Sequence, residues 1–141
     1  MHKMTEAEIR TFMGTGSKTG KLATVRADGS PHVTPIWFAF DPETGDLMFM
    51  TWHKSLKARN MQRDPRVSIC VDDETFPFSW ARIDGTVTFG EDNLVYWSTT
   101  TCRRYVGDDQ AAEFGARNGV EGELVVRVTP TRISGETNVA G

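Results

Sequence analysis

Apolar positions recur along this chain at two spacings, one helical and one extended. Thr5 and Glu8 form the T-x-x-E pattern of a capping box, and Ile9, Phe12 and Met13 then share one face. That spacing predicts a short helix over Thr5–Met13. Gly14 to Gly20 follows it. This stretch fits neither G-x-x-x-x-G-K-[ST] nor G-x-G-x-x-G and comes after a helix rather than a strand, so it reads as a connector. From Lys21 to Ala27 the pattern becomes strand-like, with Leu22, Ala23 and Val25 apolar. Asp28-Gly29 is a favoured tight hairpin turn, and Pro31–Phe40 is the return strand. Pro35 removes a ladder donor inside that strand, so it should mark an edge, a bulge or a place where something else approaches the backbone. Asp41–Gly45 makes a second turn, and Asp46–Trp52 a third strand.

The second half repeats the alternation with longer helices. Ser55–Arg63 is a short helix that stops before Pro65, and Arg66–Val71 places Val67, Ile69 and Val71 on one side of a strand. Asp72–Pro77 is a loop with three acids, and Phe78–Phe89 is a strand broken at Asp84-Gly85. Glu91–Tyr105 is helical, with Leu94, Val95 and Trp97 apolar, and a second helix, Gln110–Asn118, ends at Gly119. Gly122–Val128 is the last strand, extended by Thr131–Ser134. Strands joined by tight turns predict a mostly β (β+α) fold, an antiparallel barrel with peripheral helices. No repeat, low-complexity segment or linker interrupts it, so residues 1–141 read as a single domain.

Composition narrows the function. A chain of 141 residues that is 38% hydrophobic and 25% charged is globular and large enough for a real core. A formal net charge of -3 argues against nucleic-acid binding. No apolar run has spanning length and the N-terminus lacks a signal-peptide core, so a cytoplasmic protein with no membrane partner is expected. Cys70 and Cys102 are then expected to be reduced. His2, His32 and His53 are isolated and the cysteines have no metal spacing, so no zinc site is expected. No G-x-S-x-G elbow is present.

The one departure from the acidic balance lies between Lys54 and Arg66. This stretch holds five cations (Lys54, Lys57, Arg59, Arg63, Arg66) against one acid, Asp64. The apolar run Leu47-Met48-Phe49-Met50 leads into it, and Ser55 opens a helix. A strand end that delivers Ser and Lys to a helix N-terminus suits an anion, because free N–H groups and the helix dipole point there. A solvated basic face is the alternative reading of the run taken alone.

The flanking residues carry a resemblance. Gly20-Lys-Leu-Ala-Thr-Val-Arg-Ala-Asp-Gly-Ser-Pro-His-Val-Thr-Pro-Ile-Trp-Phe38 resembles the opening hairpin of the split β-barrel flavin- and deazaflavin-binding superfamily of pyridoxamine-phosphate oxidase. Phe49-Met-Thr-x3-Ser-Leu-Lys-Ala-Arg-Asn-Met-x-Arg-Asp-Pro-Arg-Val67 resembles its cofactor-phosphate motif. Arg104-Tyr105-Val106-Gly107 and Gly122–Pro130 resemble the actinobacterial branch that uses coenzyme F-420.

The resemblance implies a split antiparallel β-barrel of Greek-key type, completed as a homodimer, with sites at the subunit interface. It places Ser55 and Lys57 at the cofactor phosphate, with Thr51, Lys54 and Asn60 beside it. Thr34, Pro35, Ile36 and Trp37 would lie along the ring, and Phe78 and Trp80 near it, from the second subunit in many members. Flavin mononucleotide members resemble S-R-K where this chain has Ser55-Leu56-Lys57, so one phosphate-gripping guanidinium is missing. The phosphodiester and acidic tail of F-420 suit a groove with Lys54, Lys57, Arg59, Arg63 and Arg66 nearby. The implied activity is hydride transfer from reduced F-420 to a conjugated organic small molecule. Arg104, Tyr105 and His32 are candidate general acids, each with a purely structural role as its alternative. The rival readings are an oxidase or reductase using flavin mononucleotide (FMN), and a non-catalytic carrier of deazaflavin, flavin or haem.

Overall fold

The computed structural model describes residues 1–141. Its elements are β1 (His2–Lys3), α1 (Glu6–Gly14), β2 (Gly20–Val25), β3 (Pro31–Ile36), β4 (Ala39–Phe40), β5 (Leu47–Trp52), α2 (Leu56–Arg63), β6 (Arg66–Asp73), β7 (Ser79–Thr88), α3 (Leu94–Val106), α4 (Asp108–Asn118) and β8 (Glu123–Thr137). The strands form one sheet in the order β3-β2-β6-β7-β8-β5-β4, and β1 adds to β8. Every pairing is antiparallel. The sheet curls into a half-barrel around an apolar core that includes Leu22, Phe38, Phe49, Met61, Ile69, Ile83 and Val126.

Local chemistry accounts for the elements. Thr5 and Glu8 cap α1 reciprocally: the Thr5 hydroxyl accepts from the Glu8 N–H at 3.2 Å, and the Glu8 carboxylate accepts from the Thr5 N–H at 2.9 Å. Ile9 and Met13 then close the barrel from below. Pro35 does sit on an edge, since β3 ends the sheet. β7 does not break at Asp84-Gly85; it carries a register shift there against β8. A Cβ on Gly85 would come 2.5 Å from the Thr129 carbonyl oxygen, so the close approach needs glycine. The last strand runs unbroken over 15 residues rather than as two pieces.

The strand read as Pro31–Phe40 is cut at Trp37-Phe38, and α3 supplies the reason. The Phe38 N–H donates to the Tyr105 hydroxyl at 3.1 Å, and the Phe38 carbonyl accepts from Arg104 Nη1 at 3.0 Å. Side chains thus take the place of a neighbouring strand, and Trp37 is released outward to 40% exposure while Phe38 enters the core.

β5 and β8 are covered on both faces. Leu47, Phe49, Val126 and Val128 face the barrel interior. Met48, Met50 and Val125 face the other way and pack with Leu94 and Trp97 of α3. The uninterrupted apolar run Leu47–Met50 is the sequence trace of this double burial. Behind α3, α4 approaches with its backbone almost in contact: a Cβ on Gly115 would lie 2.8 Å from the Thr99 Cα. No helix is long and apolar enough to cross a membrane.

Candidate functional site

A cleft of about 240 Å³ opens where the end of β3, the N-terminal turn of α2 and the α3–α4 pair meet. Pro35, Ile36 and Trp37 form one side. Met50 of β5 and Glu123 of β8 lie on the same face of the sheet and contribute to its lining, as does Lys57 of α2. Ser98, Thr101 and Cys102 of α3, with Asn118 of α4, form the remaining wall. The Trp37 ring stacks on Tyr105 at 4.8 Å between centroids and 5° between planes, which fixes it at the cleft edge.

The turn into α2 is tightly built. The Ser55 N–H donates to the Trp52 carbonyl at 2.9 Å. Its hydroxyl accepts from the Ala58 N–H at 3.1 Å, as an N-cap should. The Ser55 and Thr51 hydroxyls lie 2.8 Å apart, so the strand end and the helix start are locked together. His53 Nδ1 lies 2.9 Å from the Gly122 carbonyl oxygen, tying the turn to the entrance of β8. Lys54 is exposed.

The cations of this segment do not share one groove. Lys57 lines the cleft, whereas Arg59 and Arg63 stand with Arg26 around a separate concavity on the other side of α2. Arg66 is committed to Asp64, with Nη2 2.7 Å from the carboxylate, which holds the Asp64 carboxyl down at about 2. Asn60 is turned away from the cleft. Its side chain is buried, donates to the Thr24 hydroxyl at 3.0 Å and accepts from Arg63 at 3.1 Å, so it ties α2 to β2.

Among the ring-side residues, Pro35, Ile36 and Trp37 reach the cleft, and Thr34 pairs with Leu22 one step earlier on β3. Phe78 and Trp80 do not line the cleft of their own chain; they stand at the β6–β7 end, where Phe76 and Phe78 form an exposed edge-to-face pair at 5.8 Å. The three candidate acids are also elsewhere. Arg104 donates to the carbonyls of Gly16 (2.8 Å), Phe38 (3.0 Å) and Met13, and Tyr105 donates to the Lys18 carbonyl at 3.0 Å. Burial lowers the Arg104 pKa and raises that of Tyr105. They clamp the connector after α1 to the β3–β4 break. His32 pairs with Thr24 on the edge strand and does not line the cleft.

The sequence patterns missed Met50, Ser98, Thr101, Cys102, Asn118 and Glu123. One signal for the α3 residues was present. Leu94, Trp97, Ser98, Thr101 and Cys102 follow the i, i+3, i+4, i+7, i+8 spacing of a buried helix face, so two hydroxyls lie on an apolar stripe. Val95, grouped by hydrophobicity, is 53% exposed instead. Glu123 stands near Lys57 and His53. Burial pushes its carboxyl pKa up, and the nearby Lys57, followed by His53, pulls against the shift. Cys102 is a free thiol that weakly accepts from the Asn118 amide at 3.7 Å.

A curled antiparallel half-barrel with a cleft at the end of its edge strand is a split β-barrel protein. The chain belongs to the pyridoxamine 5'-phosphate oxidase family, which it matches over residues 5–135. It is 38% identical over 71 residues to a 5a,11a-dehydrotetracycline/5a,11a-dehydrooxytetracycline reductase of Streptomyces rimosus subsp. rimosus, covering 49% of each chain. It is 34% identical over 71 residues to an F420H(2)-dependent biliverdin reductase of Mycobacterium tuberculosis, covering 50% of each. The chain thus spans about half the length of these curated relatives in the matched region. Among solved structures it resembles the conserved hypothetical protein Rv2991 of Mycobacterium tuberculosis, at 32% identity and a TM-score of 0.78, covering 93% of this chain and 84% of that one. It also resembles an F420 reductase at 28% identity and a TM-score of 0.68, covering 87% and 94%.

Proposed function

We propose that this protein is an F-420-dependent reductase that transfers a hydride from the reduced deazaflavin to a conjugated organic small molecule. The observation that carries the reading is the cleft itself. It joins an apolar side, Pro35–Trp37, to a single cation, Lys57, in the first turn of α2 just past its Ser55 cap. A flat ring with an anionic tail fits such a site: Pro35, Ile36 and Trp37 would hold the ring, and Lys57 and the Ser55 turn would hold the phosphate, with Thr51 bracing that turn and Lys54 adding charge from solvent. The names of two similar proteins, an F420H(2)-dependent biliverdin reductase and an F420 reductase, favour the deazaflavin over FMN.

The bound deazaflavin supplies the hydride chemistry. This chain's residues hold and orient. Trp37, fixed by Tyr105, keeps one side of the cleft flat, Met50 and Ile36 exclude water, and Lys57 neutralises the anionic end. We further propose a homodimer in which Phe78 and Trp80 of one copy cover the cleft of the other. The exposure of Phe76 (70%) and Phe78 (42%) supports an aromatic tip that meets a partner. Sedimentation should then show a dimer at working concentrations.

The test is a side-by-side fluorescence titration of the full chain with F-420 and with FMN. Tighter binding of F-420, followed by substrate-dependent reoxidation of its reduced form, is the expected result. Preference for FMN would make this a flavin protein. Tight F-420 binding with no turnover against tetrapyrrole and quinone acceptors would make it a carrier.

A further inference from the structure

The wall opposite Pro35–Trp37 holds two polar atoms that the fold leaves without a partner. Ser98 is 2% exposed and Thr101 5% exposed, and neither hydroxyl makes a hydrogen bond. Each sits in α3, where a hydroxyl can bond the carbonyl one turn back, and neither does. A buried hydroxyl without a partner is costly, and two of them one turn apart on the same cleft wall double that cost. The rest of the wall offers little relief. Asn118 directs its amide to the Cys102 sulfur, and the facing side is Pro35, Ile36 and Trp37. Both hydroxyl oxygens are sealed from solvent while their residues line the cleft, so a turn about χ1 brings either one to an occupant of the cleft.

We propose that Ser98 and Thr101 form a recognition edge for the imide side of the cofactor ring, the face of the pyrimidine ring with two carbonyls flanking an N–H. The proposal rests on the cleft being a deazaflavin or flavin site. A hydroxyl both donates and accepts, so a pair of them can meet the acceptor–donor–acceptor order of an imide. The cleft volume, about 240 Å³, is that of one ring system, below the usual range of pockets for larger ligands. With the apolar side on Pro35–Trp37 and the anion on Lys57, α3 is the wall left for the polar edge of the ring. Ser98 and Thr101 are thus cofactor-positioning residues rather than groups that transfer a proton or hydride.

The experiment uses two uncharged probes, 5-deazariboflavin and its N3-methyl derivative, so that the phosphate site plays no part. Wild type, Ser98→Ala, Thr101→Val and the double variant are titrated by fluorescence, with circular dichroism to confirm an unchanged fold. Each single variant should weaken 5-deazariboflavin about 2- to 12-fold, the size of one neutral hydrogen bond. Wild type should discriminate against the N3-methyl probe, and the double variant should lose most of that discrimination. Lys57→Ala should weaken F-420 while leaving the discrimination intact. Wild type that binds neither F-420, FMN nor 5-deazariboflavin would overturn the ring-site reading as a whole. Tight binding with the same discrimination in all variants would overturn the imide edge alone. So would variants that change the KM for an acceptor substrate but not the affinity for the ring.

Discussion

The two faces of β5 show how one strand serves fold and site at once. Toward the barrel, Leu47 and Phe49 are fully buried within the main apolar core. Toward α3, Met48 is equally buried, but two residues on, Met50 lines an opening that also holds Lys57, Glu123 and two unpartnered hydroxyls. The interior face makes stability; the outer face makes a site only where α3 and the end of β3 diverge from it. Strand polarity decides which residue does which, because alternate side chains point to opposite faces.

Truncating neighbours on opposite faces of β5 separates the two roles by the largest margin. Phe49→Ala should cost about 3–5 kcal/mol of stability, the range for a buried phenylalanine, as read from denaturant unfolding. Met50→Ala should cost less stability and yet lower the affinity for F-420. If both variants behaved alike, the division of labour would be wrong. Next in size is the cation. Lys57→Ala should weaken F-420 binding by roughly 1.5–3 kcal/mol with little change in unfolding midpoint, as expected for a charge-assisted contact. An unchanged affinity would remove Lys57 from the site.

The smallest effect is the most diagnostic of the outer face. Burial raises the Glu123 pKa in the folded protein, against the pull of Lys57 and His53. Between the ordinary carboxyl value and the raised one, the folded protein holds a proton that the unfolded chain has lost. Stability from this group therefore falls as pH climbs through that window. An anion seated at Lys57 adds negative charge beside Glu123 and raises its pKa further, so anion binding draws in a proton and weakens with rising pH. Glu123→Gln should flatten both slopes, which unfolding and binding measured across pH would show. A wild-type slope retained in the variant would place the titration elsewhere.

Much of the fold could be read from local pattern, because helices and hairpins obey short-range rules. The capping box of Thr5 and Glu8 and the Ser55 cap appear where spacing places them, and the hairpin turns at Asp28-Gly29 through a longer loop that Arg26 and Ser30 close, with only Gly29 at positive φ. The cut at Trp37-Phe38 could not be read, since it depends on Arg104 and Tyr105 reaching back more than sixty residues, with separations of 66 and 67. The site divides in the same way. Ser55, Lys57 and Pro35–Trp37 stand out because a turn, a cap and a proline carry local signatures. Ser98, Thr101 and Glu123 do not, because their meaning comes from which cavity their elements happen to border. The resemblance put Asn60 beside the phosphate and charge put the arginines of α2 in its groove, but helical periodicity turns them toward β2 or away from the cleft.

The backbone contact at Gly115 reaches further than its own position. Two helices that already touch main chain to main chain have no slack between them, so α3 cannot retreat toward α4 to admit a bulkier guest. The gauge of the cleft is set from behind its wall, at a residue that meets no ligand. A methyl group placed there would act as a shim, pressing α3 toward Met50 and narrowing what the opening accepts. The width of the cleft is therefore governed partly by a hydrogen atom on the far side of a helix.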